Sequence, residues 1–218
     1  MTKTRVPETN TGIQGEFTVA SYDQMQRHLR DKGWIETNAL LKSGISGGHA
    51  LEIGYGPGYL GLEWLKRCPN ASLSGLDISP DMQALARRNA LEYGLADRVD
   101  YHLGRGDQLP FADAEFEAVF TNGSLHEWEH PLETFNEVWR VLKPGGRYFI
   151  SDLRRDMNSL VLMFLKSGTR PASIRLGLIS SVNAAYIPRE LAELVRGSSL
   201  KDGKVDANPI GLSLSGVK

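Results

Sequence analysis

A single cysteine, Cys68, stands in 218 residues, so no internal disulfide can form and a reducing compartment suits the chain. Long apolar runs are missing as well. The longest, Leu160–Leu165, is far too short to cross a bilayer, and no membrane span is expected. Met1 to Asn10 are polar and charged and lack the apolar core of a signal peptide, which points to a cytoplasmic location. Net charge is nearly absent: 25 basic against 26 acidic residues give −1. With no basic stripe interleaved with aromatics, nucleic acid is not an expected partner. No His/Cys/Asp spacing suggests zinc, and no metal is expected. Internal repeats and low-complexity linkers are lacking too. The length suits one α/β domain with a large buried core.

Glycine, by contrast, is plentiful, and its placement carries the first functional signal. Residues 51–58 read Leu-Glu-Ile-Gly-Tyr-Gly-Pro-Gly, an apolar strand running into an acid and three alternating glycines. Such glycines permit a sharp turn and the close approach of a ligand. A helix starting near Gly58 directs its free N–H groups at that loop. Asp77 ends the next strand, where a carboxylate can accept from both hydroxyls of a ribose. Gly56–Gly61 also satisfies G-x-G-x-x-G, with Asp77 lying 77 − 56 = 21 residues beyond its first glycine, as in a dinucleotide fingerprint. The unit therefore binds a nucleoside-type ligand, and two cofactor classes fit it.

Strands are expected at His49–Ile53, Ser72–Asp77, Val99–Leu103, Glu117–Thr121 and Arg147–Leu153, alternating with helices. That alternation implies a parallel sheet with right-handed crossovers. Ser79-Pro80-Asp81 combines a hydroxyl cap, a proline at the first helical position and an acid in the first turn. Leu132, Phe135, Val138, Trp139 and Leu142 recur at helical spacing until Pro144-Gly145-Gly146 stops them. Ahead of this, Met1–Gly15 reads as a loose arm, followed by helices over Tyr22–Asp31 and Trp34–Lys42. At the other end, Lys204–Asp206 and Leu212–Val217 read as a closing hairpin with one antiparallel strand. The fold class is thus α/β, a Rossmann-like, doubly wound and mostly parallel seven-stranded sheet with a C-terminal antiparallel hairpin. Residues 1–48 form an arm and lid helices; residues 49–218 form the core, with a helical insert on the substrate side at about 154–186.

Taken together, E-x-G-x-G-x-G from Glu52, L-D-I-S at Leu76–Ser79, G-D-x-L-P-F from Gly106, F-E-A-V-F from Phe116 and L-K-P-G-G from Leu142 resemble class I S-adenosylmethionine (SAM)-dependent methyltransferases. The likeness is strongest to the small-molecule branch related to ubiquinone/menaquinone methyltransferases, and it covers roughly residues 49–153. The resemblance implies SAM as cofactor and S-adenosylhomocysteine (SAH) as product. By the same resemblance Gly54, Gly56 and Gly58 lie under the methionyl and ribose parts. Glu52 orients the glycine loop and the methionyl ammonium, and Asp77 takes the ribose hydroxyls. Ile78 touches the adenine face, Asp107 accepts from its amino group, and Gly106, Gln108 and Leu109 shape that pocket. Asn122 begins the loop beneath the methionine, while Phe17 and Tyr22 belong to a segment that closes over the cofactor. The antiparallel hairpin is also what the resemblance implies.

Methyl transfer from a sulfonium needs alignment and water exclusion, and a base only where the nucleophile must lose a proton. His126 is the candidate base; packing or loop anchoring through Glu127 or Glu129 is the competing reading. Arg154 and Arg155 could clamp an acidic substrate, against a salt bridge to Asp152 or Asp156. Ile174, Leu178, Val182 and Tyr186 fall at i, i+4, i+8 and i+12 in the insert, a dimer seam or core face before a ligand wall. A homodimer through residues 154–186 is the expected assembly. Thr121-Asn122-Gly123-Ser124 stands where amino methyltransferases carry N/D-P-P-Y/F, which disfavours action on adenine or glutamine amides; the resemblance implies a small-molecule acceptor. Two alternatives stay open: an NAD-dependent oxidoreductase using G-x-G-x-x-G, and a SAM-fold protein with lost or non-methylating activity.

Overall fold

The computed structural model describes residues 4–8 and 14–218. Its centre is one seven-stranded sheet in the order β3-β2-β1-β4-β5-β7-β6. Five strands, β1 (His49–Ile53), β2 (Ser72–Asp77), β3 (Val99–Leu103), β4 (Phe116–Asn122) and β5 (Leu142–Leu153), pair in parallel. β6 (Lys204–Ala207) and β7 (Gly211–Val217) form the hairpin, with β7 antiparallel to β5. The order reverses between β1 and β4, which makes the crevice beyond their carboxyl ends the natural ligand position.

Period-2 alternation assigns the two faces. On one side, Leu51 and Ile53 of β1 and Tyr148 and Ile150 of β5 pack with Phe135 and Val138 of α5 (Pro131–Val141) and Leu191 and Val195 of α8 (Pro188–Arg196). On the other, Ala50, Ala118, Phe120 and Phe149 pack under Trp64 and Leu65 of α3 (Tyr59–Arg67) and Leu40 of α2 (Thr37–Lys42). Trp64 is fully buried and donates its indole N–H to Ile45 O at 3.0 Å, so it fills the core without an orphaned donor. α4 (Pro80–Glu92) starts as its sequence requires, with Ser79 Oγ accepting from Met82 N–H at 3.2 Å.

The N-terminal region differs from expectation in three places. α1 runs over Glu16–Asp31, beginning six residues before Tyr22, because Asp81 reaches from α4 to accept the Gly15 N–H at 2.9 Å. α2 begins at Thr37, since the turn that closes α1 consumes Gly33 and an exposed Trp34. Residues 4–8 are held, not loose: Val6 N–H donates to Asn183 O, and Arg5 donates to Ala184 O and His126 O. The remainder of the arm, residues 1–3 and 9–13, lies outside the described residues.

Two further differences follow from packing. Leu142 pairs with Phe116 and the register then shifts, so Lys143–Gly146 forms a bulge entering β5. In the insert, α6 (Ser159–Gly168) and α7 (Arg175–Ala184) are separate helices, and α7 ends before Tyr186. The Ile174–Tyr186 stripe is therefore not one helical face. Val182 and Tyr186 are buried, whereas Ile174 and Leu178 are half-buried.

Candidate active site

A solvent-open crevice with a cavity volume of about 90 Å³ lies beyond the carboxyl ends of β1, β2, β3 and β4. Ile53 and Gly54, then Leu76–Ile78, then Gly104–Asp107 supply one side. Ser124, Glu127–His130 and Thr134 supply the other.

Gly54 turns the chain out of β1 at φ +69°, and a Cβ there would stand 2.6 Å from Ser124 Cβ. Only glycine lets the loop after β4 approach so closely. Ser124 secures that approach: its hydroxyl lies 2.6 Å from Thr121 Oγ1 and accepts the Trp128 indole N–H at 3.2 Å. Gly58, at φ +83°, leads into α3; a Cβ there would meet the Tyr101 hydroxyl at 2.5 Å, so packing against β3 also requires glycine at this position. Gly56 lies between, facing the Tyr22 ring of α1 at 3.6 Å from its would-be Cβ.

Asp77 holds the glycine loop from below. Its Oδ2 accepts the Gly56 N–H and its Oδ1 the Ser79 N–H, each at 2.9 Å. Burial pushes this carboxyl up from its ordinary pKa, and the backbone donors oppose that push. Ile78, 37% exposed, presents an apolar side chain next to it. Tyr22 brings its hydroxyl into the field of Glu127 and Asp77; burial first, then those charges, raise its pKa.

Asp107 also lines the crevice, but both of its oxygens accept from Arg105, at 3.0 and 2.9 Å, and Arg105 reaches on to Glu129 at 2.8 Å. These bonds lower the Asp107 pKa. Gly106 packs on Thr134 and Ile53, Leu109 is buried, and Gln108 is exposed.

Of the expected site residues, Tyr22, Glu52, Gly56, Gly58, Gln108, Asn122 and His126 are not among those that line the crevice. Asn122 donates to Ser151 Oγ at 2.9 Å and bonds the side chain of Glu36. Glu52 shares the β1 face of Ala50 and lies beneath α3, where it accepts from the Gly61 N–H in the first helical turn. Its carboxyl is buried, leaves Oε2 unpartnered and has its pKa pushed up to about 8, by burial above all. A Cβ on Gly61 would stand 2.4 Å from that oxygen.

His126 lies behind the loop after β4. Its Nδ1 is 2.9–3.0 Å from both oxygens of Asp152 at the end of β5, and its backbone N–H donates to Asp152 Oδ2 at 2.7 Å. Desolvation opposes protonation, but Asp152, Glu8 and Glu127 outweigh it and raise the pKa to about 10. The surrounding carboxylates favour the protonated ring, which speaks against a general-base role. The arrangement supports the anchoring reading, through Asp152 and Glu8 in place of Glu129. The arginines are likewise tied down: Arg154 pairs with Asp156 at 2.7 Å, and buried Arg155 with Glu190 at 2.5 Å.

Sequence reasoning gave no role to Arg105, Ser124, Trp128 and Thr134, and took Glu127 only as an anchor for His126. Their signal was position in a strand-end loop, without a motif of their own; Thr134 sits on α5 and carried no signal.

A nucleoside-cradling, doubly wound fold with an acid at the tip of β2 defines a cofactor-dependent enzyme class, and comparison with known proteins makes the class specific. Residues 51–150 match the family model described as a methyltransferase domain. The demethylmenaquinone methyltransferase of Deinococcus radiodurans is 28% identical over 83% of this chain and 80% of its own length. The ubiquinone/menaquinone biosynthesis C-methyltransferase UbiE of Roseobacter denitrificans is 29% identical over 63% of this chain. This chain spans 57% of that relative's length, and 28% of the biotin biosynthesis bifunctional protein BioHC of Teredinibacter turnerae. Among solved structures, a SAM-dependent methyltransferase described as putative, from Methanococcus maripaludis, superposes with a TM-score of 0.72 at 21% identity, covering 93% of this chain and 94% of that one. Residues 51–150 carry the methyltransferase domain, and these matches support a class I SAM-dependent methyltransferase related to the UbiE enzymes. S-adenosylmethionine is the cofactor of that family.

Proposed function

We propose that the chain transfers a methyl group from SAM to a small-molecule acceptor, releasing SAH. The observation that carries this reading is Asp77. Its carboxylate stands at the tip of β2 between glycine loop and crevice, held by backbone donors at Gly56, Ile78 and Ser79, with lone pairs left for a vicinal diol. The crevice fits the remainder of such a ligand: Ile78 offers an apolar face for a base, and Tyr22 covers the loop at Gly56. Gly54, Gly56, Gly58 and, across the sheet, Glu52 and Asn122 are read as the support of the methionyl end. Asp107, with Gly106 and Gln108, is read as the adenine end, which requires Arg105 to share or release the carboxylate.

When bound, the sulfonium supplies an activated methyl group, so the chain's own task is alignment in a dry space. Leu76, Ile53 and Trp128 give that space apolar walls. The names of the relatives in quinone biosynthesis make an apolar aromatic acceptor the first class to test. A cytoplasmic setting agrees with the one buried, free cysteine. A homodimer would form through exposed Leu160, Met163 and Phe164 of α6, and sedimentation velocity tests that assembly.

Calorimetric titration with SAH and with NAD tests the cofactor. SAH binding with NAD silent is expected, and tight NAD binding with SAH silent overturns the reading. Labelled methyl transfer to demethylated naphthoquinols and phenols then tests the acceptor class.

A further inference from the structure

We propose that Glu8, His126 and Glu127 form a binding site for a divalent transition-metal ion, with Asp152 as the outer partner that orients the histidine. One ligand atom from each of the three residues lies within 4.8 Å of the others. His126 Nε2 stands 3.3 Å from Glu8 Oε2 and 3.8 Å from Glu127 Oε1. A tetrahedral ion with bonds near 2.0–2.2 Å separates its donors by roughly 3.4 Å, so a small inward movement of Glu127 completes the set.

The histidine supplies an independent pointer to a ligand. It is 4% exposed, and among the described residues its Nε2 makes no hydrogen bond of regular geometry, only ion-pair contacts with Glu8 and Glu127, so a buried polar atom is aimed between two carboxylates. Nδ1 is taken by Asp152, which is the carboxylate–histidine arrangement that turns the other ring nitrogen into a ligand. Charge argues the same way. Glu8, Glu127 and Asp152 crowd one imidazole, and Glu8 and Glu127 repel each other. A dication on Nε2 would offset the charge of the carboxylates gathered around it. One imidazole with two carboxylates suits Zn²⁺ or Mn²⁺.

The placement has a consequence for the crevice. Glu8 is on the N-terminal segment and Glu127 lines the crevice, so the ion would pin residues 4–8 to the crevice wall. Chain spacing could not show this, because Glu8 and His126 are 118 residues apart. The proposal does not depend on the methyl donor.

Equilibrium dialysis of the full chain against Zn²⁺ and Mn²⁺ separately, without SAM, tests it. One ion per chain is expected for at least one metal. Affinity should fall at least 100-fold in E8Q/E127Q and 10–100-fold in D152N, and stay unchanged in H28A, which lies on α1 away from the cluster. Circular dichroism establishes that each variant is folded, and if the double variant is not, E8Q alone gives the reading. Bound metal should also slow tryptic cleavage after Arg5. No saturable binding of either ion, or equal affinity in wild type and the glutamine variants, overturns the site.

Discussion

Asp77 Oδ2 accepts the Gly56 N–H at 2.9 Å, joining the tip of β2 to the middle of the glycine loop across 21 residues. The same carboxylate is therefore both a brace for the loop and the proposed ribose acceptor. Asp77→Ala should weaken SAH binding by about 1–3 kcal/mol, the worth of lost charge-assisted hydrogen bonds. Calorimetry checks it. Unchanged affinity in the folded variant would leave Asp77 as brace alone.

Gly58 and Tyr101 give a prediction about stability. Gly58→Ala places a Cβ 2.5 Å from the Tyr101 hydroxyl in a backbone conformation that disfavours side chains, and should cost on the order of 2 kcal/mol or more. Tyr101→Phe should instead be neutral or stabilising by about 1 kcal/mol, since that hydroxyl is buried without a partner. In the double variant the steric part should be relieved and the conformational part should persist. Urea denaturation of the four proteins measures both; additive costs would refute the proposed clash.

Ser124 ties three elements together, so its loss should be felt beyond one bond. Ser124→Ala leaves Thr121 Oγ1 and the Trp128 indole N–H without the hydroxyl they share. A loss of about 1–3 kcal/mol in unfolding free energy is expected. Trp128 lines the crevice, and its fluorescence should change on SAH binding in wild type and less in the variant. A variant as stable as wild type would show that the Thr121–Ser124–Trp128 chain contributes nothing.

The core strands were legible because each signal was local. β1, β2 and β3 begin and end where apolar runs meet glycine, aspartate or a capped helix start, and their observed limits are the expected ones. α1 was read six residues short because the contact that starts it comes from Asp81, far along the chain. The same limit applies to the candidate site. Strand-end position put Asp77, Asp107 and the glycines in one place, yet it could not tell which way each side chain faces. Asn122 turns to Ser151, and Glu52 turns under α3, since alternation along a strand sets the face and only the packed helix shows what that face meets. His126 was read as base or anchor because its partners, Asp152 and Glu8, come from distant segments.

Glu52 sets a pH dependence whose sign can be worked out. Burial raises its folded pKa to about 8 against an ordinary value of 4.5, with Asp77 adding to the rise and the Gly61 N–H opposing it. Between these values the folded chain holds a proton that the unfolded chain has released. Stability from this group is therefore fully present below about pH 4.5 and is lost as pH rises toward 8. Above pH 8 a buried carboxylate must be carried with one oxygen unpartnered. Glu52→Gln removes the titration while keeping an oxygen for Gly61, so it should gain on wild type as pH increases. The difference in unfolding free energy between variant and wild type should shift in the variant's favour by a few kcal/mol, on the order of 3, from pH 5 to pH 9. Urea melts at 1-unit steps measure it, and a pH-independent difference would mean that Glu52 is ionised throughout and paired in a way the buried carboxyl does not show. The melts are run without SAM, because a bound ammonium near Glu52 would favour its charged form and flatten the slope.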